Sequence, residues 1–253
     1  MTKTGIVGYG KVGTAMKELF TDACVYDGPK GIGSREEINS CSIAFVCVPT
    51  PMLPGGGCDT SAVEDVMSWI GSDIVVLRST VPVGFTDGLC ERYGKRVCFQ
   101  PEYYGETAAH PFADLRNQGW ITIGGEESAA SRVAGLYKKV RNSGLVINLV
   151  DAKTAELAKY MENCFLAAKV VFCNEFYDIA RGMGVNYDRL RETWLLDPRM
   201  GRSHTFVFED DRGFGGSCLP KDTSALVSQA EAFGIDASFM KAVIEKNRLL
   251  RDG

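Results

Sequence analysis

The sequence predicts an α/β fold in which a doubly wound parallel sheet is followed by an all-helical second domain. Two observations support this prediction. Over residues 1–150, short apolar runs alternate with segments of helical periodicity, the pattern of parallel strands covered by helices on both faces. From residue 151 onward, only helical periodicity remains. We therefore expect one domain at residues 1–150 and a second at residues 151–253.

Seven segments of the first domain are predicted to be strands. The first enters a glycine turn and precedes a predicted helix, "GTAMKELFTDA". In chain order, the strands lie in "TGIVGYG", "CVYD", "SIAFVCVPTP", "SDIVVLRSTVP", "RVCFQPE", "GWITIGG" and "GLVINLV". Ligands of such sheets bind beyond the carboxyl ends of the strands. The residues that follow each strand are therefore the first candidates for chemistry.

The second domain begins with one long predicted helix, from Thr154 to Arg181. A shorter helix at "YDRLRETWLL", an irregular loop over residues 197–220 and two helices up to Asp252 follow. The long helix has more apolar positions than one stripe can hold. They are Leu157, Tyr160, Met161, Phe165, Leu166, Val170, Val171, Phe172, Phe176 and Ile179. One domain could hardly bury all of them, so we expect an interface and a homodimer.

Composition limits the class of protein. The chain of 253 residues has a net charge of -4 and no long run of Lys or Arg, so nucleic acid is not an expected partner. Its nine cysteines include no CxxC pair and it has only two histidines, so no metal site is expected. No apolar run reaches the length of a membrane span, so no membrane partner is expected. No secretory leader precedes the first strand, so we interpret the cysteines as reduced thiols of a cytoplasmic protein.

A dinucleotide fingerprint follows the first strand. Gly8, Gly10 and Gly13 form GxGxxG between a strand and a helix, and Asp27 ends the next strand 19 residues after Gly8. The glycines permit a tight turn, close approach of a pyrophosphate, and close packing of helix on strand. A carboxylate at Asp27 accepts hydrogen bonds from ribose hydroxyls and repels a 2′-phosphate. The pattern predicts a Rossmann-like domain that binds NAD rather than NADP, with Val12 also at the cofactor.

One cysteine lies in an unusual context, the segment "GFGGSCLPKD" at residues 213–222. Pro220 fits the first turn of a helix, so Cys218 would precede a helix N-terminus, where a thiolate is favoured. Gly215 leaves room for a substrate, and Lys221 adds positive charge. From these residues alone, a structural thiol remains preferred over a nucleophile or a metal ligand.

Other polar residues stand out in apolar surroundings. Lys159 and Asn163 lie four residues apart on the long helix, and a solvated face is the simpler interpretation of that pair. Glu102 and Glu106 follow the strand of "RVCFQPE", and Thr80 follows the strand of "SDIVVLRSTVP". All three are therefore at predicted carboxyl ends of strands.

Taken together, these segments resemble the UDP-glucose/GDP-mannose dehydrogenase family over residues 4 to about 250. The matching blocks occur in the family's order and the last is highly specific to it. They are "GIVGYGKVG", "VCVPTP", "LRSTVPVG", "QPEYYGE", "AELAKYMENCFLA", "DPRMG" and "GFGGSCLPKDT". The resemblance implies oxidation of the primary alcohol of a nucleotide sugar to a carboxylate with two NAD. It also favours the nucleophile interpretation of Cys218 and agrees with the homodimer, since the family pairs subunits through helices of this middle region.

The resemblance also implies catalytic roles. Cys218 would add to an aldehyde intermediate, and the resulting thiohemiacetal would be oxidised to a thioester. Lys159 would stabilise the oxyanion, Asn163 would orient it, and Asp222 would hold a water or a lysine. Glu102 would be the general base for thioester hydrolysis.

Cofactor and substrate contacts are implied in the same way. Thr80, Glu106 and Lys221 would lie near NAD and Lys30 at its ribose, with Thr50 as a further cofactor contact. Substrate contacts would come from Glu102, Glu106, Lys159, Asn163 and Gly215, the last of these against the sugar. Thr80 counts among the catalytic residues as well.

The chain departs from the family pattern in three places. Family members usually continue into a third, nucleotide-binding domain, which we expect to be absent here because the chain ends at Gly253. The loop "FVFEDDRGFGG" has three acids at 209–211 in place of an aromatic-Asn-Pro stretch, offset only by Arg212. Gln100 replaces the usual Asn. Two rival interpretations follow: a two-electron hydroxyacid-type dehydrogenase, and a catalytically weakened NAD-binding interaction or scaffold protein.

Overall fold

The computed structural model describes residues 3–104, 112, 114–141 and 143–252. Contacts divide the chain into two compact units. The first comprises the chain up to Lys159 apart from residues 54–57, and the second comprises residues 54–57 and the chain from Tyr160 onward.

A seven-stranded sheet is the centre of the first unit. Its strands are β1 (Thr4–Val7), β2 (Cys24–Tyr26), β3 (Ile43–Val46), β4 (Ile74–Leu77), β5 (Arg96–Phe99), β6 (Trp120–Gly124) and β7 (Val146–Val150). They lie in the order β2-β1-β3-β4-β5-β6-β7, and β1 to β5 are parallel. The chain order reverses at β1, between β2 and β3, and this switch point is where a doubly wound sheet binds its ligand. Each predicted strand segment contains one of these strands, so the predicted α/β fold is confirmed.

Helices cover both faces of this sheet. They are α1 (Lys11–Leu19), α2 (Arg35–Asn39), α3 (Ser61–Trp69), α4 (Phe85–Tyr93), α5 (Glu127–Val140) and a short 3₁₀ helix (Leu115–Asn117). Alternate residues of β3 enter different cores: Phe45 packs with Tyr137 on one face and Val46 packs with Met67 on the other. All four side chains of β3 are buried, which explains why the strand is apolar throughout rather than alternating.

The sheet is mixed, whereas the sequence predicts a fully parallel one. β6 runs antiparallel to β5, with Phe99 paired to Gly124, and β7 is parallel to β6. A parallel return needs a crossover connection, usually a helix. The described residues between β5 and β6 include the short 3₁₀ helix, and β6 runs in the opposite direction to β5. Beyond β6, a Cβ atom on Gly125 would lie 3.1 Å from the Cys98 sulfur.

The second unit is helical, as predicted. Its elements are α6 (Ala152–Gly182), which begins in the first unit, α7 (Tyr187–Trp194), α8 (Leu219–Ala232) and α9 (Ser238–Asp252). Ala167 and Val171 of α6 pack with Phe214 and Val243, and Tyr187 of α7 packs on the following part of α6. These apolar clusters are small, and large side chains of α6 remain exposed, among them Met161 at 74% and Phe165 at 64%.

Candidate active site

The glycine turn after β1 has the geometry that a dinucleotide needs. Gly8 has a φ of +90°, and a Cβ atom there would lie 2.8 Å from the carbonyl oxygen of Cys47. A Cβ atom on Gly13 would lie 1.9 Å from the carbonyl oxygen of Gly8. These two glycines are therefore required by the fold. A Cβ atom on Gly10 would meet nothing within 4 Å, so this glycine leaves open space in front of the turn.

The N-terminus of α1 begins directly at that glycine turn. Its N-cap is Gly10, which supplies no side-chain hydrogen bond, and no acidic residue lies in its first turn, which contains Val12. The first backbone N–H groups of a helix have no carbonyl partner within the helix. Together with the helix dipole, they favour a bound phosphate. The open space at Gly10 and the uncapped helix therefore fit a pyrophosphate.

Asp27 closes the same loop at the end of β2. Its Oδ2 accepts a hydrogen bond from the Tyr9 amide at 2.8 Å, and its Oδ1 accepts one from the Lys30 amide at 3.1 Å. The Lys30 ammonium donates to the carbonyl oxygen of Tyr9 at 2.5 Å. Each carboxylate oxygen has two lone pairs, so one acceptor site on each remains for a ribose hydroxyl. This fits NAD.

The loops after β3 and β4 are joined to each other. The Thr50 hydroxyl donates to the carbonyl oxygen of Thr80 at 2.8 Å, and the Ser79 hydroxyl donates to that of Val48. These bonds fix Thr50 and Thr80 beside the carboxyl end of β3, which flanks the switch point. Both predicted cofactor residues therefore lie at the expected edge of the sheet.

Glu102 forms a buried ion pair that the sequence analysis missed. Its Oε2 contacts the guanidinium of Arg78, and only 4% of the Arg78 side chain and 12% of the Glu102 side chain are exposed. Arg78 also donates to the carbonyl oxygens of Gln100 at 3.3 Å and Pro101 at 3.1 Å. A single arginine thus fixes the turn that carries Glu102. The signal in the sequence was an arginine directly after the apolar run of β4.

Gln100, which stands where the family usually has Asn, has a hydrogen-bond partner that explains the longer side chain. Its Oε1 accepts a hydrogen bond from the buried Tyr137 hydroxyl at 2.7 Å. Burial raises the pKa of Tyr137 to about 12, so the hydroxyl remains a donor at neutral pH. An asparagine is one methylene shorter, and its side-chain oxygen would end short of this hydroxyl.

Lys159 is buried in the first unit. Its ammonium lies 4.7 Å from the centre of the Tyr103 ring, a cation–π contact. Tyr103 in turn packs on Trp120 with ring centres 4.7 Å apart. The solvated-face interpretation of Lys159 is therefore wrong. Glu106 lies outside the described residues.

Cys218 is the N-cap residue of α8 and is exposed. Pro220 lies in the first turn, as predicted, and the Ser217 hydroxyl is 3.6 Å from the cysteine sulfur. Other cysteines have the environment of structural thiols: burial raises the pKa of Cys98 and Cys164 to about 12. Cys218 thus combines exposure with a helix N-terminus.

A buried polar group lies one turn into α8. Asp222 has 1% exposure, and its Oδ2 accepts a hydrogen bond from the amide of Asn163 at 2.5 Å. The Lys221 ammonium lies 2.6 Å from Oδ1 as an ion pair. The Asp222 amide donates to the carbonyl oxygen of Cys218 at 2.9 Å. Four predicted site residues therefore meet in the second unit.

The glycine loop before Cys218 is held by α9. The Asn247 side chain accepts from the Phe214 amide at 2.6 Å and donates to the Phe214 carbonyl oxygen at 3.0 Å. One turn later, the Arg251 guanidinium covers Gly215, where a Cβ atom would lie 3.0 Å from Nη1. Arg251 also donates to Asp211 at 3.2 Å. Neither Asn247 nor Arg251 was predicted from the sequence, because a polar residue in the middle of a helix gives no sign of its partner.

The acidic loop is better compensated than the sequence suggests. Glu209 accepts a hydrogen bond from the Tyr177 hydroxyl, and Asp211 pairs with Arg251. Arg212 instead binds Asn174 and Asp178 on α6, at 2.7 Å and 2.9 Å. The expectation that Arg212 alone offsets these acids is therefore wrong.

Among the described residues, no three His, Cys, Asp or Glu side chains are grouped to hold a metal ion. In the same residues, no helix has the length and apolar character needed to span a bilayer.

A glycine turn at the switch point, followed by a carboxylate at the end of β2, is typical of NAD-binding, dehydrogenase-type folds. Two family profiles match the chain: the NAD-binding domain of the UDP-glucose/GDP-mannose dehydrogenase family at residues 32–141, and the central domain of that family at residues 153–249. The chain belongs to the UDP-glucose/GDP-mannose dehydrogenase family, and its cofactor is NAD.

Individual relatives agree. A UDP-glucose 6-dehydrogenase of Rickettsia prowazekii is 33% identical over 224 residues, which cover 84% of this chain and 50% of the relative. One from Bacillus subtilis is 32% identical over 229 residues, covering 85% and 48%. The chain thus spans about half the length of the curated relatives it matches.

Solved structures give the same fold. A UDP-glucose dehydrogenase from Pyrobaculum islandicum superposes with a TM-score of 0.85 at 30% identity, covering 98% of this chain and 68% of that one. A 3-hydroxyisobutyrate dehydrogenase of Mycobacterium tuberculosis has a TM-score of 0.72 at 17% identity, covering 97% and 92%. The second likeness concerns the fold alone.

Proposed function

We propose that the chain oxidises the primary alcohol of a nucleotide sugar such as UDP-glucose to the carboxylate, with Cys218 as the covalent nucleophile. The surroundings of Cys218 carry the proposal. An exposed thiol at the start of α8, within a glycine loop and near Lys221 and the buried Asp222, suits a reactive cysteine rather than a packing one. The named activity of the relatives supports the choice of substrate.

The chemistry needs a nucleophile because the alcohol is oxidised twice. When bound, NAD accepts a hydride from the alcohol carbon in each oxidation. After the first oxidation the carbon is an aldehyde, which has no hydride to give until a group adds to it. Attack by the Cys218 sulfur forms a C–S bond and moves the carbonyl electron pair onto oxygen, giving a thiohemiacetal. Loss of hydride from this adduct leaves a thioester, and water then breaks the C–S bond to release the acid and the thiol.

The other residues would manage charge and protons. Lys159 would stabilise the developing oxyanion, because its ammonium is buried and the attraction between the two charges is stronger in surroundings of low polarity. Asn163 would orient the reacting group, and Asp222 fixes both the Asn163 amide and the Lys221 ammonium. Glu102, which contacts the Arg78 guanidinium, would accept a proton from the attacking water.

The remaining assignments concern binding. We assign Gly8, Gly10, Val12, Gly13, Asp27, Lys30, Thr50, Thr80 and Lys221 to NAD, with Glu106 from outside the described residues. Gly215 is assigned to the sugar, and because Arg251 covers this glycine, the sugar must displace the guanidinium or bind against it. The exposed apolar residues of α6 support a homodimer, although Tyr160 and Val171, two of the predicted interface residues, are buried within the chain.

Counting NADH tests the proposal. A panel of nucleotide sugars is incubated with NAD and the chain, and absorbance gives NADH per molecule of sugar consumed. We expect two. Cys218→Ser should stop acid formation while NAD binding is retained, because a serine hydroxyl is far less ionised than a thiol and an alkoxide is a poorer leaving group than a thiolate.

Other outcomes would replace the proposal. One NADH per substrate would favour the hydroxyacid-type reaction, and no turnover with any sugar would favour a non-enzymatic NAD-binding protein. A Cys218→Ser variant that still forms the carboxylate at the original rate would remove the thioester mechanism.

A further inference from the structure

Helix α4 begins without a cap of its own. Its N-cap residue is Gly84, which has a φ of +89° and no side chain to bind the free amides of the first turn. The cap comes instead from Glu156 on α6. Its Oε2 accepts from the Gly84 amide at 2.5 Å, and its Oε1 accepts from the Thr86 amide at 2.9 Å and the Thr86 hydroxyl at 2.6 Å.

This carboxylate is fully buried, with 0% exposure for both Glu156 and Thr86. Burial raises the pKa of Glu156, and the three hydrogen bonds act in the opposite direction. Burying a carboxylate destabilises the fold unless its oxygens accept hydrogen bonds. The Glu156 carboxylate accepts three hydrogen bonds, so it acts as a fixed anchor between α6 and the start of α4.

The anchored segment is the loop from Ser79 to Gly84, which leaves β4 at the cofactor edge of the sheet. Its first residues are already bound to the loop after β3, through the Thr50 hydroxyl on Thr80 and the Ser79 hydroxyl on Val48. Glu156 fixes the other end. The loop is thus tied at both ends next to the crevice where NAD binds.

We infer that Glu156 is a positioning residue for NAD: by capping α4, it holds the loop from Ser79 to Gly84 in its cofactor-binding conformation. It acts through the loop and does not touch the cofactor. The inference concerns NAD binding, so it does not depend on the oxidation of a sugar.

The test is the dissociation constant of NAD, measured by calorimetry with no sugar present, at a temperature where circular dichroism shows each variant folded. Glu156→Gln keeps the shape but turns an NH₂ group towards the donors. We expect NAD to bind about 2- to 30-fold more weakly, the range usual for indirect coupling. Thr86→Val should act in the same direction, and the two changes together should cost less than their sum because they share one cap.

Two controls separate positioning from general damage. Lys153→Ala removes an exposed ion pair to Asp87, at 3.6 Å, that joins the same two helices. Val133→Ala opens a cavity in the cluster that contains Phe45, whereas Val81 of the loop belongs to the other cluster of the first unit. Both should bind NAD like the unmodified chain.

The inference is overturned if Glu156→Gln binds NAD normally, or if Val133→Ala weakens NAD equally at equal loss of stability. Should Glu156→Gln fail to fold, Thr86→Val decides by the same criteria. Absence of sugar turnover would count against the proposed function and leave this result unaffected.

Discussion

The buried ion pair of Arg78 and Glu102 should make a large contribution to the stability of the first unit. Arg78→Met removes the guanidinium but keeps an apolar side chain of similar length. It leaves the Glu102 carboxylate buried without its cation, and it removes the donors to the carbonyl oxygens of Gln100 and Pro101. Breaking one side of a buried pair costs about 3–5 kcal/mol. With a urea slope of about 2 kcal/mol/M, the unfolding midpoint should fall by about 1.5–2.5 M.

A surface pair of the same unit provides the matched control. Arg96 and Asp73 are 3.1 Å apart, with 53% and 47% of their side chains exposed. Such pairs contribute about 0–1 kcal/mol, and Asp73 keeps its second partner, Arg132, when Arg96 is replaced. Arg96→Met should therefore shift the midpoint little.

Fluorescence can follow the first unit alone. Of the three tryptophans, Trp69 and Trp120 belong to the first unit and Trp194 to the second, so Trp194→Phe removes the second unit's signal. In this background, urea titrations give the free energy of unfolding of each variant.

A double variant distinguishes the loss of the ion pair from a simple loss of packing, because the two explanations predict opposite changes in stability on adding the second substitution. Arg78→Met combined with Glu102→Gln leaves no unpaired charge, and replacing both partners of a buried pair is often close to neutral. We expect the double variant to be more stable than Arg78→Met alone. A stabilising role of the buried ion pair is refuted if Arg78→Met costs no more than Arg96→Met, or if the double variant is less stable than Arg78→Met.

Three further results are expected. Asp27→Ala should narrow the preference for NAD over NADP in binding titrations, and equal affinities in the unmodified chain would contradict the role of this carboxylate. Iodoacetamide at mildly alkaline pH should modify Cys218 first by peptide mass spectrometry, because burial raises the pKa of Cys98 and Cys164 to about 12; early labelling of those two would contradict it. Light scattering at micromolar concentration should give twice the chain mass, with Phe165→Glu on the exposed face of α6 giving a monomer; a monomeric unmodified chain would exclude the dimer.

Local patterns in the sequence predicted the strands and the glycine turn. An apolar run bounded by Gly or Pro needs little context, and Gly8, Gly13 and Asp27 act within one strand–helix–strand unit. The direction of β6 was not predictable in this way. Its run "GWITIGG" fits a strand in either direction, and the direction depends on the connection from β5.

Contacts between polar residues that are far apart in the sequence were the main feature that could not be predicted. Arg78 contacts Glu102 across 24 positions, Glu156 reaches Thr86 across 70, and Asn247 binds Phe214 across 33. Periodicity marks such residues as polar positions in apolar segments but does not name the partner. The family resemblance implied roles for residues of the proposed active site, but it implied none for the residues that hold them in place.

The reversal of the sheet at β6 has a practical consequence for attaching the protein to a surface or a dye. Past β6, Gly125 packs against Cys98 in the middle of β5, so the chain heads away from the carboxyl edge where the glycine turn lies. Glu126 then starts α5 by accepting hydrogen bonds from the amides of Ser128 and Ala129. The neighbouring Glu127 is exposed and takes no part in this cap. A tether at Glu127 would therefore leave the cofactor edge open to solvent, as single-molecule or sensor measurements of NAD binding require.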